Sequence, residues 1–118
     1  MKGLVVTTDN EVSVKEFDQP LYKSIGEVVG GYIEIVHPRG LAYPFAMTVN
    51  EEGLMQNLPL NLVGSYLYEA HKHGNPIVGN IVIMMEGMTP SGYDITGLPD
   101  DAIEPLKNLI SQILGGKR

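Results

Sequence analysis

The stretch PIVGNIVIMME, residues 76–86, is the most apolar run in the chain. Ile81, Val82 and Ile83 are β-branched in succession, and such a run reads by composition as a central strand of a sheet. Gly79 inside it marks a bulge or a close backbone approach. The rest of the chain has to be arranged around this strand.

Shorter β-type runs flank it. LVVTT (residues 4–8) and EVSVKEF (residues 11–17) are split by Asp9 and Asn10, the signature of a β-hairpin. YIEIVHP (residues 32–38) and PFAMTVN (residues 44–50) alternate in the same way and are joined by a Pro/Gly loop. Helical spacing appears three times. Leu21, Ile25 and Val28 follow Pro20 at a first helical position and end at Gly30, a left-handed stop. Val63, Tyr66, Leu67 and Ala70 follow the N-cap residue Asn61 and end at Gly74. Ile103, Leu106, Ile110 and Ile113 form one face of a C-terminal amphipathic helix. Asp101 and Glu104 are predicted to cap that helix, with Pro105 in its first turn and Gly115-Gly116 at its end. GMTPSGYDITGLP (residues 87–99) reads as a loop long enough for a site or flap, with one further strand as an option. The order predicts an α+β fold with a mixed or antiparallel sheet of about five to six strands and two to three helices. Helices are expected on one sheet face, with the other open or used by a partner subunit.

The 118 residues fit one domain, 1–118. No window nears the ~18 apolar residues of a membrane helix. The start, MKGLVVTTDN, is too short for a secretory signal and reads as a first strand. The absence of cysteine excludes disulfides and thiol chemistry and makes the cytoplasm the default location. Eight Lys and Arg against 14 Asp and Glu give a net charge of −6, which repels nucleic acid. No basic cluster exists beyond Lys117-Arg118.

Asn50, Glu51, Glu52 and Gly53 are turn chemistry at a strand end, with Gly53 expected at positive φ. As metal ligands or as acid and base, Glu51 and Glu52 would have to converge, and strand alternation sends them apart. Gly30-Gly31 lie between a helix and a strand, the reverse of a phosphate loop. They read as a helix stop whose N–H groups are also able to line a pocket. Glu34 reads as solvated or interfacial. His71 and His73, two apart on a helix, do not face each other, so no metal site is expected. Arg39, in HPRG, is the one arginine away from the terminus and is a candidate anion contact, or else an ion-pair partner for a nearby carboxylate. Tyr32 and Tyr93 are candidate aromatic walls. No nucleophile-elbow, P-loop, zincin or dinucleotide motif is present, so no catalytic residue and no cofactor is assigned.

VGGYIEIV, NEEGLMQNLPLN and PIVGNIVI together resemble a family of small uncharacterised domains encoded by tailed phages, prophages and mobile elements. The shared pattern is V-G-G-x-I-E, N-E-x-G, L-P-x-N and I-V-G, and it spans roughly residues 21–100. The resemblance implies an accessory protein of phage origin acting in the host cytoplasm, and such proteins often counter host defence. The leading expectation is a homo-oligomer that sequesters a small anionic, nucleotide-type signal without catalysis. Gly30, Gly31, Arg39, Asn50 and Asn57 would make polar contacts, with Tyr32 or Tyr93 as the wall. The alternatives are an acidic inhibitor docking on a host defence protein, and a small enzyme using Glu51 or Glu52.

Overall fold

The computed structural model describes residues 1–115, apart from the side chain of His73. Gly116 and the Lys117-Arg118 pair lie outside the described residues. The elements run β1 (Lys2–Val6), β2 (Val12–Glu16), α1 (Leu21–Val29), β3 (Ile33–Val36), β4 (Phe45–Asn50), α2 (Leu62–Tyr68), α3 (Ala70–His73), β5 (Ile81–Thr89), β6 (Gly92–Thr96) and α4 (Asp100–Ile113).

The fold is α+β, with six antiparallel strands in the order β2-β1-β5-β4-β3 and β6 paired to β5. The apolar run is its centre, as its composition requires. β1 lies along β5 from Ile81 to Ile83, and β6 takes over from Met85 to Thr89. The Leu98 N–H donates to the Lys2 carbonyl at 2.8 Å and joins those two partners end to end.

Both sheet faces carry a core, which corrects the expectation of one open face. Val6, Met47, Val49, Ile81 and Ile83 pack with Val63, Leu67, Leu106 and Ile110 of α2 and α4. Val5, Ala46, Val82 and Met84 pack with Ile25 and Val29 of α1 on the other side. The physical reason lies in β5 itself: Ile81 through Met84 are all fully buried, which alternation permits only when each face is covered. α1 has only nine residues, so the far end of its face stays open around Ile35, Met88 and Tyr93.

Local expectations divide. Gly30 ends α1 at φ 91° with its N–H on the Gly26 carbonyl at 2.8 Å. Asn61 caps α2 by accepting from the Gly64 N–H at 2.8 Å. That helix then breaks at Glu69 (φ 57°) instead of running to Gly74. Residues 87–99 are mostly the β5–β6 hairpin and not a flap. α4 begins at Asp100 after Pro99, without a side-chain cap, so Pro105 falls in its second turn and the capping box is not formed. Lys2 donates to Asp100 at 2.6 Å and ties the start of α4 to β1.

Candidate functional site

Four chain segments meet at the β3–β4 corner and enclose a groove of about 350 Å³. Glu34 and Val36 come from β3, Val49 from β4, Tyr68 from the end of α2, and residues 50–55 and 75–78 supply the rims. Its floor is the margin of the α2/α4 core, since Val49 and Ile77 belong to that core and Val36 packs on it. A more open depression of about 530 Å³ adjoins it, sharing Glu34, Val36 and Tyr68 and reaching His37 and Arg39.

Close packing holds the rims. A Cβ on Gly53 would lie 2.7 Å from Val78 Cγ2, so only glycine lets the 50–58 turn lie against the 75–79 segment. Its φ is not positive; the left-handed residue of this turn is Asn57, at φ 56°. The Gly79 N–H donates to the Pro59 carbonyl at 2.8 Å, and Leu60 bridges to Val78.

The strand ends at Asn50, with Glu51 still bonded across the ladder to the Tyr32 carbonyl and Glu52 on the turn that follows. Both glutamates are among the residues lining the groove. With Glu34 they make three carboxylates, and the described lining residues include no Lys, Arg or His. Among the described residues, neither the Glu51 nor the Glu52 side chain makes a hydrogen bond or ion pair.

The Gly30-Gly31 turn and the Asn50 turn do lie side by side. The space between them is filled by the Asn50 side chain, which is 5 % exposed. Its Nδ2 donates to the Val29 carbonyl at 3.2 Å and to Gln56 Oε1 at 3.0 Å, and its Oδ1 accepts the Glu52 N–H at 2.8 Å. Every hydrogen-bonding group of that amide is thus engaged internally. A Cβ on Gly31 would stand 3.2 Å from Nδ2, which explains the glycine as a packing residue. Tyr32 is 75 % exposed, and its carbonyl accepts the Glu51 N–H at 2.8 Å. Asn57 is exposed outside the groove lining, and His71 is exposed. Arg39 is exposed beside the second depression and has no ion-pair partner among the described residues.

Tyr93 lies elsewhere, on β6, hydrogen-bonded to Tyr43. That bond, then partial desolvation and the charge of Glu86, push its phenol up to about 12 from 10.0. Glu86 also meets His37 Nε2 at 2.6 Å. The His37–Glu86 and Tyr43–Tyr93 pairs escaped sequence reasoning because each joins distant segments. One signal was present, a lone carboxylate closing an otherwise apolar strand. Tyr68 and the 75–78 rim were missed for the same reason, whereas Glu34, read as solvated or interfacial, is exposed at the groove.

Residues 1–111 match the family described as Domain of unknown function (DUF3846). The chain belongs to the DUF3846 family. The matched residues of this DUF3846 chain include every strand and all walls of the groove. No curated protein and no solved structure matches the chain. Among the described residues of the DUF3846 chain, no group of three or more His, Cys, Asp or Glu is placed to hold a metal ion. No described helix is long and apolar enough to cross a membrane.

Proposed function

We propose that this DUF3846 chain is a non-enzymatic binding module whose groove takes an extended, positively charged segment of another protein. One observation carries the reading: an apolar floor of Val36, Val49 and Ile77 is rimmed by Glu34, Glu51 and Glu52, with no cation among the described lining residues. Such a site complements side chains with apolar stems and cationic heads, which Lys and Arg are. Exposed ion pairs contribute about 0.2–1 kcal/mol each, so three of them supply about 0.6–3 kcal/mol and the apolar floor has to supply the larger share of any affinity. On the motif resemblance, the role is that of a phage or mobile-element protein that occupies a host defence protein in the cytoplasm. Fluorescence anisotropy with a labelled heptapeptide of alternating Lys and Val tests the reading. Binding that a Glu/Val heptapeptide does not reproduce, and that the E51Q/E52Q double variant weakens, supports it; equal binding of both peptides counts against it.

A second reading is favoured by Arg39. Among the described residues Arg39 has no ion-pair partner, and it lines the depression that also holds Glu34, His37 and Tyr68. That side suits a small anionic ligand, of nucleotide type, with Tyr68 as the aromatic wall. The carboxylate-lined groove beside Asn50 weighs against placing an anion there. Native mass spectrometry with pooled cyclic and ADP-ribose-type nucleotides tests it. A retained mass lost in Arg39→Ala supports it, and no retained mass removes it.

A further inference from the structure

β3 is the last strand of the sheet, and its ladder to β4 fixes which of its backbone groups are used. The Glu51 N–H donates to the Tyr32 carbonyl, which makes Tyr32/Glu51 a hydrogen-bonded pair of the antiparallel ladder. Bonded pairs recur every second residue, so Glu34/Val49 and Val36/Met47 are the next ones. The other edge of β4 agrees: the Glu86 N–H donates to the Pro44 carbonyl, in phase with Ala46/Met84 and Thr48/Val82. The N–H and C=O groups of Ile33 and Ile35 therefore point away from the sheet.

The other edge strands are managed differently. On β6, the Asp94 side chain accepts the Ile95 N–H at 2.7 Å and occupies an outward donor. On β2, Lys15 and Glu16 place both charge signs along the edge. β3 carries no Lys, Pro or side-chain cap on its outer edge, and its one charge, Glu34, lines the groove. An unprotected edge beside a groove is the arrangement of strand addition.

We infer that the partner segment binds as a further β-strand along β3, bonded to the Ile33 and Ile35 backbone, with its cationic side chains turned to Glu34, Glu51 and Glu52. This rests on the groove reading and adds the binding mode. A second copy of the chain is the poorer occupant, because each copy carries a net charge of −6 and β3 brings its own Glu34 to the pairing.

The test is amide hydrogen exchange by NMR on the intact chain, with and without the Lys/Val heptapeptide. Ile33 and Ile35 N–H are expected to exchange about tenfold more slowly with peptide, while Glu34 and Val36 N–H are already protected in the free chain. A heptapeptide of the same sequence, N-methylated at alternate residues on its pairing edge, is expected to lose about tenfold in affinity. Peptide binding with unchanged Ile33 and Ile35 exchange, or full affinity of the N-methylated peptide, overturns the strand mode and leaves the groove reading standing. Absence of any peptide binding overturns both. Protection of Ile33 and Ile35 that rises with protein concentration alone identifies a second copy as the occupant and overturns the proposal.

Discussion

The side-chain amide of Asn50 donates to the main-chain carbonyl of Val29 at 3.2 Å, so the end of β4 satisfies the end of α1. Helix ends leave their last carbonyls without intrahelical partners, and this one is buried beside a fully packed face. The same amide fixes the turn that carries Glu51 and Glu52, which links helix placement to the shape of the groove. Asn50→Ala strands the Val29 carbonyl, the Glu52 N–H and Gln56. The expected cost is about 2–3 kcal/mol in urea unfolding. A loss below about 0.5 kcal/mol, which is the scatter of ordinary surface substitutions, would contradict the role assigned to it.

Gly30 and Gly31 are glycines for different reasons, and a double-mutant cycle separates them. Gly30 sits at φ 91°, where a side chain costs roughly 1–2 kcal/mol whatever its neighbours. Gly31 is instead limited by the Asn50 amide, 3.2 Å from where a Cβ would stand. The Gly31→Ala cost is therefore expected to vanish in an Asn50→Ala background, while the Gly30→Ala cost persists. Denaturant unfolding of the three single and two double variants reads both terms.

The Tyr43–Tyr93 hydrogen bond has a signature in alkaline titration. Tyr93 ionises at about 12, above the ordinary 10.0, so the neutral phenol favours the fold. Its contribution is whole below pH 10.0, the ordinary value, and is lost as the pH rises through about 12. Tyr43→Phe removes the largest cause, and Tyr93 is expected to titrate back toward its ordinary value, followed by phenolate absorbance. An unmoved titration would show that the bond does not hold the phenol.

Among the described residues the Glu51 and Glu52 side chains have no hydrogen-bond or ion-pair partner, so their neutralisation is expected to leave stability within about 0.5 kcal/mol. Binding behaves otherwise. E51Q/E52Q is expected to weaken the Lys/Val heptapeptide by roughly two- to thirtyfold, and to flatten the dependence of affinity on salt. Anisotropy titrations at low and high salt measure both. Unchanged affinity and salt slope would place the peptide elsewhere.

Most of the architecture was legible in the sequence because it rests on local signals. The apolar run at residues 76–86, the Asp9-Asn10 hairpin, the Gly30 stop and the Asn61 cap each act over a few residues, and each stands in the structure. The second core was not legible. It depends on α1 folding back over Val5, Val82 and Met84, a relation between segments that no local pattern records. The site shows the same division. The 50–53 turn was found, and Asn50 within it was a candidate ligand contact, whereas its amide is engaged internally by Val29, Gln56 and Glu52.

The most direct measurement is a ¹⁵N–¹H NMR titration of the chain with the Lys/Val heptapeptide at low salt. The groove account expects saturable shifts at Glu34, Val36, Glu51, Glu52 and the 75–78 rim, with the β2 edge unmoved. Shifts confined to residues around Arg39 or along β2, or no saturable shift at all, would contradict it.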